Sequence, residues 1–314
     1  MPASPGRIDV HHHFIPEGYH AILAQRAPEV LRGMTFPSWD AGTALAAMDA
    51  IGVRAAILSV PVWGLVIAER EFAIENARWC NERAAEVVRA RPGRFGAFAA
   101  LPVLHIDAAI DELRYASDEL GMDGVVLPAS ADTHYLGAPH FEPLFAELDR
   151  RGTVVHVHPG TPADCGHLTP LVPDPIVEFI FDTTRAIANL IATGTLERYP
   201  NIRFIFSHAG GAAPFLLGRL ELMRANPAVA PNAPRPVHEY LRRLFYDTAL
   251  AANPIALDTL FRVVGEGQVL FGTDWPFAPS AVAKATAETI NGLQAATSAM
   301  INRDTATRLF PRLA

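Results

Sequence analysis

Two cysteines and a single lysine in 314 residues mark what this sequence has least of. Cys80 and Cys165 are too few for a disulfide framework or a cysteine zinc site, so a reducing, cytoplasmic setting is expected. The formal charge is −7 and no basic run occurs, which argues against nucleic acid or an anionic membrane as partner. No apolar stretch approaches the ~20 residues that span a bilayer. The opening Met1-Pro2-Ala3-Ser4-Pro5-Gly6 lacks the apolar segment of a signal peptide. No glycine-rich phosphate loop opens any helix, so a nucleotide-binding reading has no support and no organic cofactor is expected. Internal repeats and low-complexity tracts are absent as well.

What is present is a 50% hydrophobic chain in which strand-like and helix-like segments alternate. Strands are expected at 8–13, 54–59, 94–101, 124–127, 153–158, 202–207, 244–247 and 268–272. Helices are expected at 39–51, 69–89, 107–120, 141–150, 175–198, 213–224, 254–264 and 281–296. The Pro-rich stretch 226–236 reads as a long loop before a short extra helix. Eight short apolar strands, each followed by a helix, fit one (β/α)₈ barrel domain over residues 1–314 better than two doubly wound domains.

Polar residues collect where such a barrel keeps its chemistry, at the carboxyl ends of strands. His11 and His13 end the first strand, and residues two apart on a strand share a side. His158 ends the fifth, His208 the sixth, and Asp274 follows the eighth. Each alone has a plain reading: a strand-end histidine as a hydrogen-bonding residue, an aspartate as a helix cap. Jointly they converge on one mouth and suit a divalent ion, Zn²⁺ first, with Mn²⁺ or Fe²⁺ as alternatives. His156 shares a strand face with His158 and reads as a supporting or core residue. His12 points the other way and reads as structural. Trp275 and Phe277, beside Asp274, read as walls of an aromatic pocket. Arg185, on the helix after strand five, reads as a receiver of a substrate carboxylate or as an exposed helix arginine. His167, in the loop after strand five, has a weaker claim.

His11-His12-His13, His158-Pro159, Ser207-His208-Ala209-Gly210-Gly211 and Gly272-Thr273-Asp274-Trp275-Pro276 resemble the signatures of the amidohydrolase superfamily. The resemblance is strongest to its branch of metal-dependent decarboxylases typified by aminocarboxymuconate semialdehyde decarboxylase, and it covers nearly the whole chain. Within that branch, Tyr135-Leu136-Gly137, 181–186 and Ser207 to Pro214 are most similar to 6-methylsalicylate decarboxylases. The resemblance implies His11, His13, His158 and Asp274 as metal ligands and His208 as acid/base. It implies Arg219 as a substrate-binding arginine that reaches across a homodimer interface, where the plain reading is a surface helix arginine. Ala44 stands where the semialdehyde decarboxylase carries a second substrate arginine, so a monocarboxylate aromatic acid fits better than a dicarboxylate. Many hydrolases of the superfamily bridge two metals with a lysine on strand four. The only lysine here, Lys284, is on the last helix, which implies one metal.

The expected reaction is therefore non-oxidative decarboxylation of a small 2-hydroxybenzoate-like acid, with a proton from Asp274 or His208 delivered to the ring carbon that bore the carboxylate. The competing readings are a mononuclear hydrolase of a lactone or amide, a related hydratase, and a non-catalytic metal-binding barrel. The first two would use the same ligands.

Overall fold

A computed structural model describes residues 6–31, 34–162 and 171–314 of the chain; Cys165 and His167 lie outside them. Eight parallel strands run in chain order: β1 Arg7–His13, β2 Val53–Ser59, β3 Phe95–Ala99, β4 Gly124–Pro128, β5 Val154–His158, β6 Arg203–Phe206, β7 Phe245–Asp247 and β8 Val269–Leu270. Each is almost wholly buried, because a strand with helices on one face and barrel interior on the other has no wet side. β8 is shorter than the apolar pattern 268–272 implied. The chain beyond it leaves regular pairing yet closes the barrel onto β1. Val10 N donates to Phe271 O at 3.0 Å, Asp274 N to His11 O at 2.8 Å and His13 N to Trp275 O at 2.7 Å. These bonds hold residue 274 beside residues 11 and 13.

The helices follow the sequence pattern where caps agree with it. Ala41–Ala50 begins after Asp40, whose carboxylate accepts Thr43 N at 2.9 Å, and Arg70–Ala90 begins after Glu69, which accepts the amides of Glu71 and Phe72. Three expectations are corrected. The helix expected over 175–198 is Asp174–Ala192, then Gly194 turns left-handed (φ 75°), and Thr195–Arg198 forms a separate turn. The helix expected over 213–224 is regular only at Leu217–Glu221, since the Gly210-Gly211 turn and Pro214 occupy its start. The helix expected over 281–296 is Ser280–Asn291, and short helices at Ala295–Ala299 and Thr305–Leu309 follow it. Helices at Tyr19–Arg26 and Pro28–Leu31 and a small hairpin pairing Ser130–Ala131 with His134–Tyr135 also exceed the sequence pattern. Among the described residues, no helix is long and apolar enough to cross a membrane.

Candidate metal centre

His11, His13, His158 and Asp274 are all buried, and one ligand atom from each lies within 4.8 Å of the other three. Asp274 Oδ1 is 2.9 Å from His13 Nε2 and 3.3 Å from His11 Nε2. The two imidazole nitrogens are themselves 3.3 Å apart. Two residues reach the cluster only through a strained backbone: Asp274 at φ 63° and His208 at φ 54° are left-handed. Such a conformation costs on the order of 1–3 kcal/mol and persists where surrounding bonds fix it. Here the bonds are Asp274 N to His11 O, at 2.8 Å, and His208 N to Asp247 Oδ1, at 3.0 Å. Gly211, three residues after His208, is also left-handed, and a Cβ there would collide with the Ile180 carbonyl.

Hydrogen bonds set the imidazoles so that their Nε2 atoms face the cluster. His158 Nδ1 donates to its neighbour's carbonyl, Pro159 O, at 2.8 Å, leaving Nε2 buried with no hydrogen-bond partner among the described residues. His11 Nδ1 donates to Asp247 Oδ2 at 2.9 Å, so its Nε2 points inward. That carboxylate-to-imidazole arrangement is the usual way a metal-ligating histidine is oriented. An orphaned, buried His158 nitrogen among two further imidazoles and a carboxylate fits a divalent ion with a place left for water or substrate.

The electrostatics agree with a ligand set. Burial pushes His158 well below the usual imidazole range, with His13, His11 and His208 adding to the effect, and burial lowers His13 too. Both are neutral at neutral pH. Burial would also lower His11, but Asp247 and Asp274 on either side overcome it and raise its pKa to about 10. Burial opposes ionisation of Asp274, yet His11, His13 and His208 hold its carboxyl well below the usual range.

The sequence pattern missed Asp247. It ends β7, fully buried, and accepts from His11 Nδ1, from His156 Nε2 at 3.2 Å, and from the amides of His208 and Ala249. One carboxylate thus ties together β1, β5 and the turn after β6. An aspartate at the carboxyl end of a barrel strand was the available signal. Asp9 was missed as well: it takes the amides of His11 and Thr273, both at 3.1 Å.

A family model described as amidohydrolase matches residues 8–312. The chain belongs to the amidohydrolase family. It is 36% identical to the 6-methylsalicylic acid decarboxylase of Penicillium expansum over 98% of this chain and 97% of that one. Among solved structures it is similar to a 2,6-dihydroxybenzoate decarboxylase complexed with 2,6-dihydroxybenzoate (27% identity, TM-score 0.84, 98% and 99% of the two chains). It is also similar to a dihydroxybenzoic acid decarboxylase from Polaromonas sp. JS666 with bound manganese and 2-nitroresorcinol (26% identity, TM-score 0.82, 98% and 97%).

In this amidohydrolase the cluster floors a cavity of about 320 Å³. His13, His158, His208 and Asp274 supply its polar floor, and Trp63, Phe179 and Phe277 are its aromatic walls. An adjoining hollow of about 450 Å³ shares Trp63 but contains no cluster residue. His208 Nε2 stands 3.6 Å from Asp274 Oδ2, and both its ring nitrogens are buried without hydrogen bonds among the described residues. Phe277 lines the cavity and Trp275 does not. With Asp274 turned inward, the next ring faces the other way and stacks on His12 at 4.8 Å. Neither arginine enters the cavity. Arg185 is exposed, beside Tyr135 and Asp182, and Arg219 is exposed on the helix Leu217–Glu221. Lys284 is likewise exposed on the last long helix, and β4 has no lysine.

Proposed function

We propose that this chain is a metal-dependent, non-oxidative decarboxylase of a small aromatic acid of the 2-hydroxybenzoate type, 6-methylsalicylate included. The observation that carries it is a carboxylate, Asp274, set on the floor of a ring-sized apolar cavity beside an imidazole, His208, with no hydrogen bond among the described residues. The decarboxylase names of the full-length relatives support the same reading over hydrolysis of a lactone or amide.

His11, His13, His158 and Asp274 hold one divalent ion in this proposal, Zn²⁺ first and Mn²⁺ as the alternative. Bound there, the ion would supply charge neutralisation to the substrate carboxylate and its adjacent phenol oxygen. The aromatic walls take the ring and keep water from it. Asp274 is ionised at neutral pH and must first take up a proton from solvent; Asp274, or His208 at 3.6 Å from it, then delivers a proton to the ring carbon that carries the carboxylate. The bond to the carboxyl carbon then breaks, its electron pair restores the aromatic ring, and CO₂ leaves.

Among the described residues no lysine or arginine lines the cavity, so any side-chain cation that meets the substrate beside the ion comes from elsewhere. We assign it to Arg219 of a second copy. Arg219 has no hydrogen bond or ion pair among the described residues, and Phe215 and Leu222 flank it, 81% and 67% exposed. An exposed arginine between two bare apolar side chains suits a homodimer interface. Arg185 is the less favoured cation, since Tyr135 and Asp182 already engage it. A reducing cytoplasm remains the proposed setting.

The test is incubation of metal-loaded protein with a panel of 2-hydroxybenzoates, with mass spectrometry for products lighter by CO₂. Chelator-sensitive loss is expected. Absence of loss across the panel, with turnover of a lactone or amide instead, would replace this reading with the hydrolase.

A further inference from the structure

Asp182 lies on the helix Asp174–Ala192, fully buried, and belongs neither to the metal cluster nor to the lining of its cavity. A buried carboxylate is costly unless donors surround it. Here Ser130 Oγ donates to Oδ1 at 2.8 Å and Gly160 N to Oδ2 at 3.0 Å, and Tyr135 and Arg185 also engage it. One carboxylate thus pins the hairpin after β4, the turn after β5 and the helix that gives Ile176, Phe179 and Ile180 to the cavity.

Gly160 N belongs to the peptide unit whose oxygen is Pro159 O, and that oxygen accepts His158 Nδ1 at 2.8 Å. The unit is planar and trans, so its N–H and C=O point to opposite sides. Asp182 therefore holds one side of a rigid plane, and the other side holds the His158 imidazole. An N–H that donates to a carboxylate makes its own carbonyl a stronger acceptor, because bonds in a chain polarise one another. His11 has the same support directly, through its 2.9 Å bond to Asp247. At His158 a carbonyl stands in that place, and the carboxylate lies one peptide further out.

We infer that Asp182 is a positioning residue of the metal site: through the Pro159–Gly160 peptide it fixes the His158 ring so that Nε2 faces the ion. The inference rests on the ligand set proposed above, with His158 as a ligand, and not on the identity of the substrate.

The test has two readouts on the full-length protein: Zn²⁺ affinity by chelator competition, and the His158 Nδ1 proton resonance of Zn²⁺-loaded, ¹⁵N-histidine-labelled protein. Asp182→Ala should weaken Zn²⁺ binding by about 10–100-fold, the scale of losing an outer partner of a ligand. Asp182→Asn should stay within about threefold of the wild type. Gly160 N only donates whereas Ser130 Oγ can also accept, so the amide oxygen turns to Gly160 and its nitrogen to Ser130. The Nδ1 resonance should nevertheless move in Asp182→Asn, because a neutral acceptor replaces a charged one. Ser130→Ala removes the other bond to the same carboxylate and should leave both readouts as in the wild type. The Asn and Ser130→Ala comparison stands even if Asp182→Ala does not fold. Wild-type affinity in Asp182→Ala, equal losses in the Ala and Asn variants, as large a loss in Ser130→Ala, or an unmoved Nδ1 resonance in Asp182→Asn would each overturn the inference. Unchanged Zn²⁺ affinity in His158→Ala would instead overturn the ligand set beneath it, and the inference with it.

Discussion

His156 and His158 lie two residues apart on β5, on the same strand face, and both are buried. Their surroundings divide them. His158 Nε2 has no partner among the described residues and faces two imidazoles and a carboxylate, whereas His156 Nε2 is taken by Asp247 and its ring stacks on Phe98 at 5.4 Å. Burial lowers both imidazoles, His156 to about 4 and His158 well below its usual range. Neutrality is therefore common to both, and the difference is whether the inward nitrogen is already bonded. On β5 the proposed ligand is the histidine whose cluster-facing nitrogen makes no bond among the described residues. The same contrast separates Asp274, whose oxygens face only imidazoles, from Asp247, which accepts four protein donors.

The sharpest break of this comparison is at the acid. Asp274→Asn should lower turnover by about 10²–10⁴-fold, the scale of a lost proton donor, with bound metal measured alongside by elemental analysis. Full activity in that variant would remove Asp274 from the chemistry. Next come the paired histidines. His158→Ala should lose the metal, while His156→Phe, which keeps the stack on Phe98 and removes only the bond to Asp247, should retain it with lower stability. Equal metal loss in both would erase the distinction drawn between them. A smaller effect is expected at the support: Asp247→Asn should weaken metal binding by about 10–100-fold without removing any ligand.

The mildest effect is a pH dependence. Two carboxylates hold His11 at about 10, so at neutral pH its imidazole carries a proton that a divalent ion must displace. Affinity should rise about tenfold per pH unit between 7 and 9 and fall as pH is lowered, because the proton competes for His11. Calorimetry in buffers of different ionisation enthalpy should count about one proton released per ion bound at pH 7. Release of none would place His11 in its neutral form beforehand.

Much of the site was legible from residue spacing. His11 and His13 could be put on one side of a strand, and the strand-end positions of His158, His208 and Asp274 followed from the alternation of apolar runs. Asp247 was passed over although it ends an expected strand, because a lone aspartate on a three-residue strand has no neighbouring histidine in the chain to mark it. The left-handed turns at His208 and Asp274 were equally hidden, since only the bonds to Asp247 and His11 make them tolerable. The cavity walls come from segments far apart in the chain, among them Trp63, Phe179 and Leu250, and no local pattern links them. Trp275 shows the limit from the other side: adjacency to Asp274 suggested a pocket wall, and the inward turn of Asp274 sent the indole outward onto His12.

The central claim is that an acid of this site protonates the ring carbon as CO₂ departs. It is tested most directly by running the reaction with a 2-hydroxybenzoate substrate in D₂O and locating the label by NMR. One deuterium at the carbon that bore the carboxylate, ortho to the hydroxyl, with release of CO₂, is the expected result. A product that keeps its carboxyl group, or a decarboxylated product without deuterium at that carbon, would contradict it.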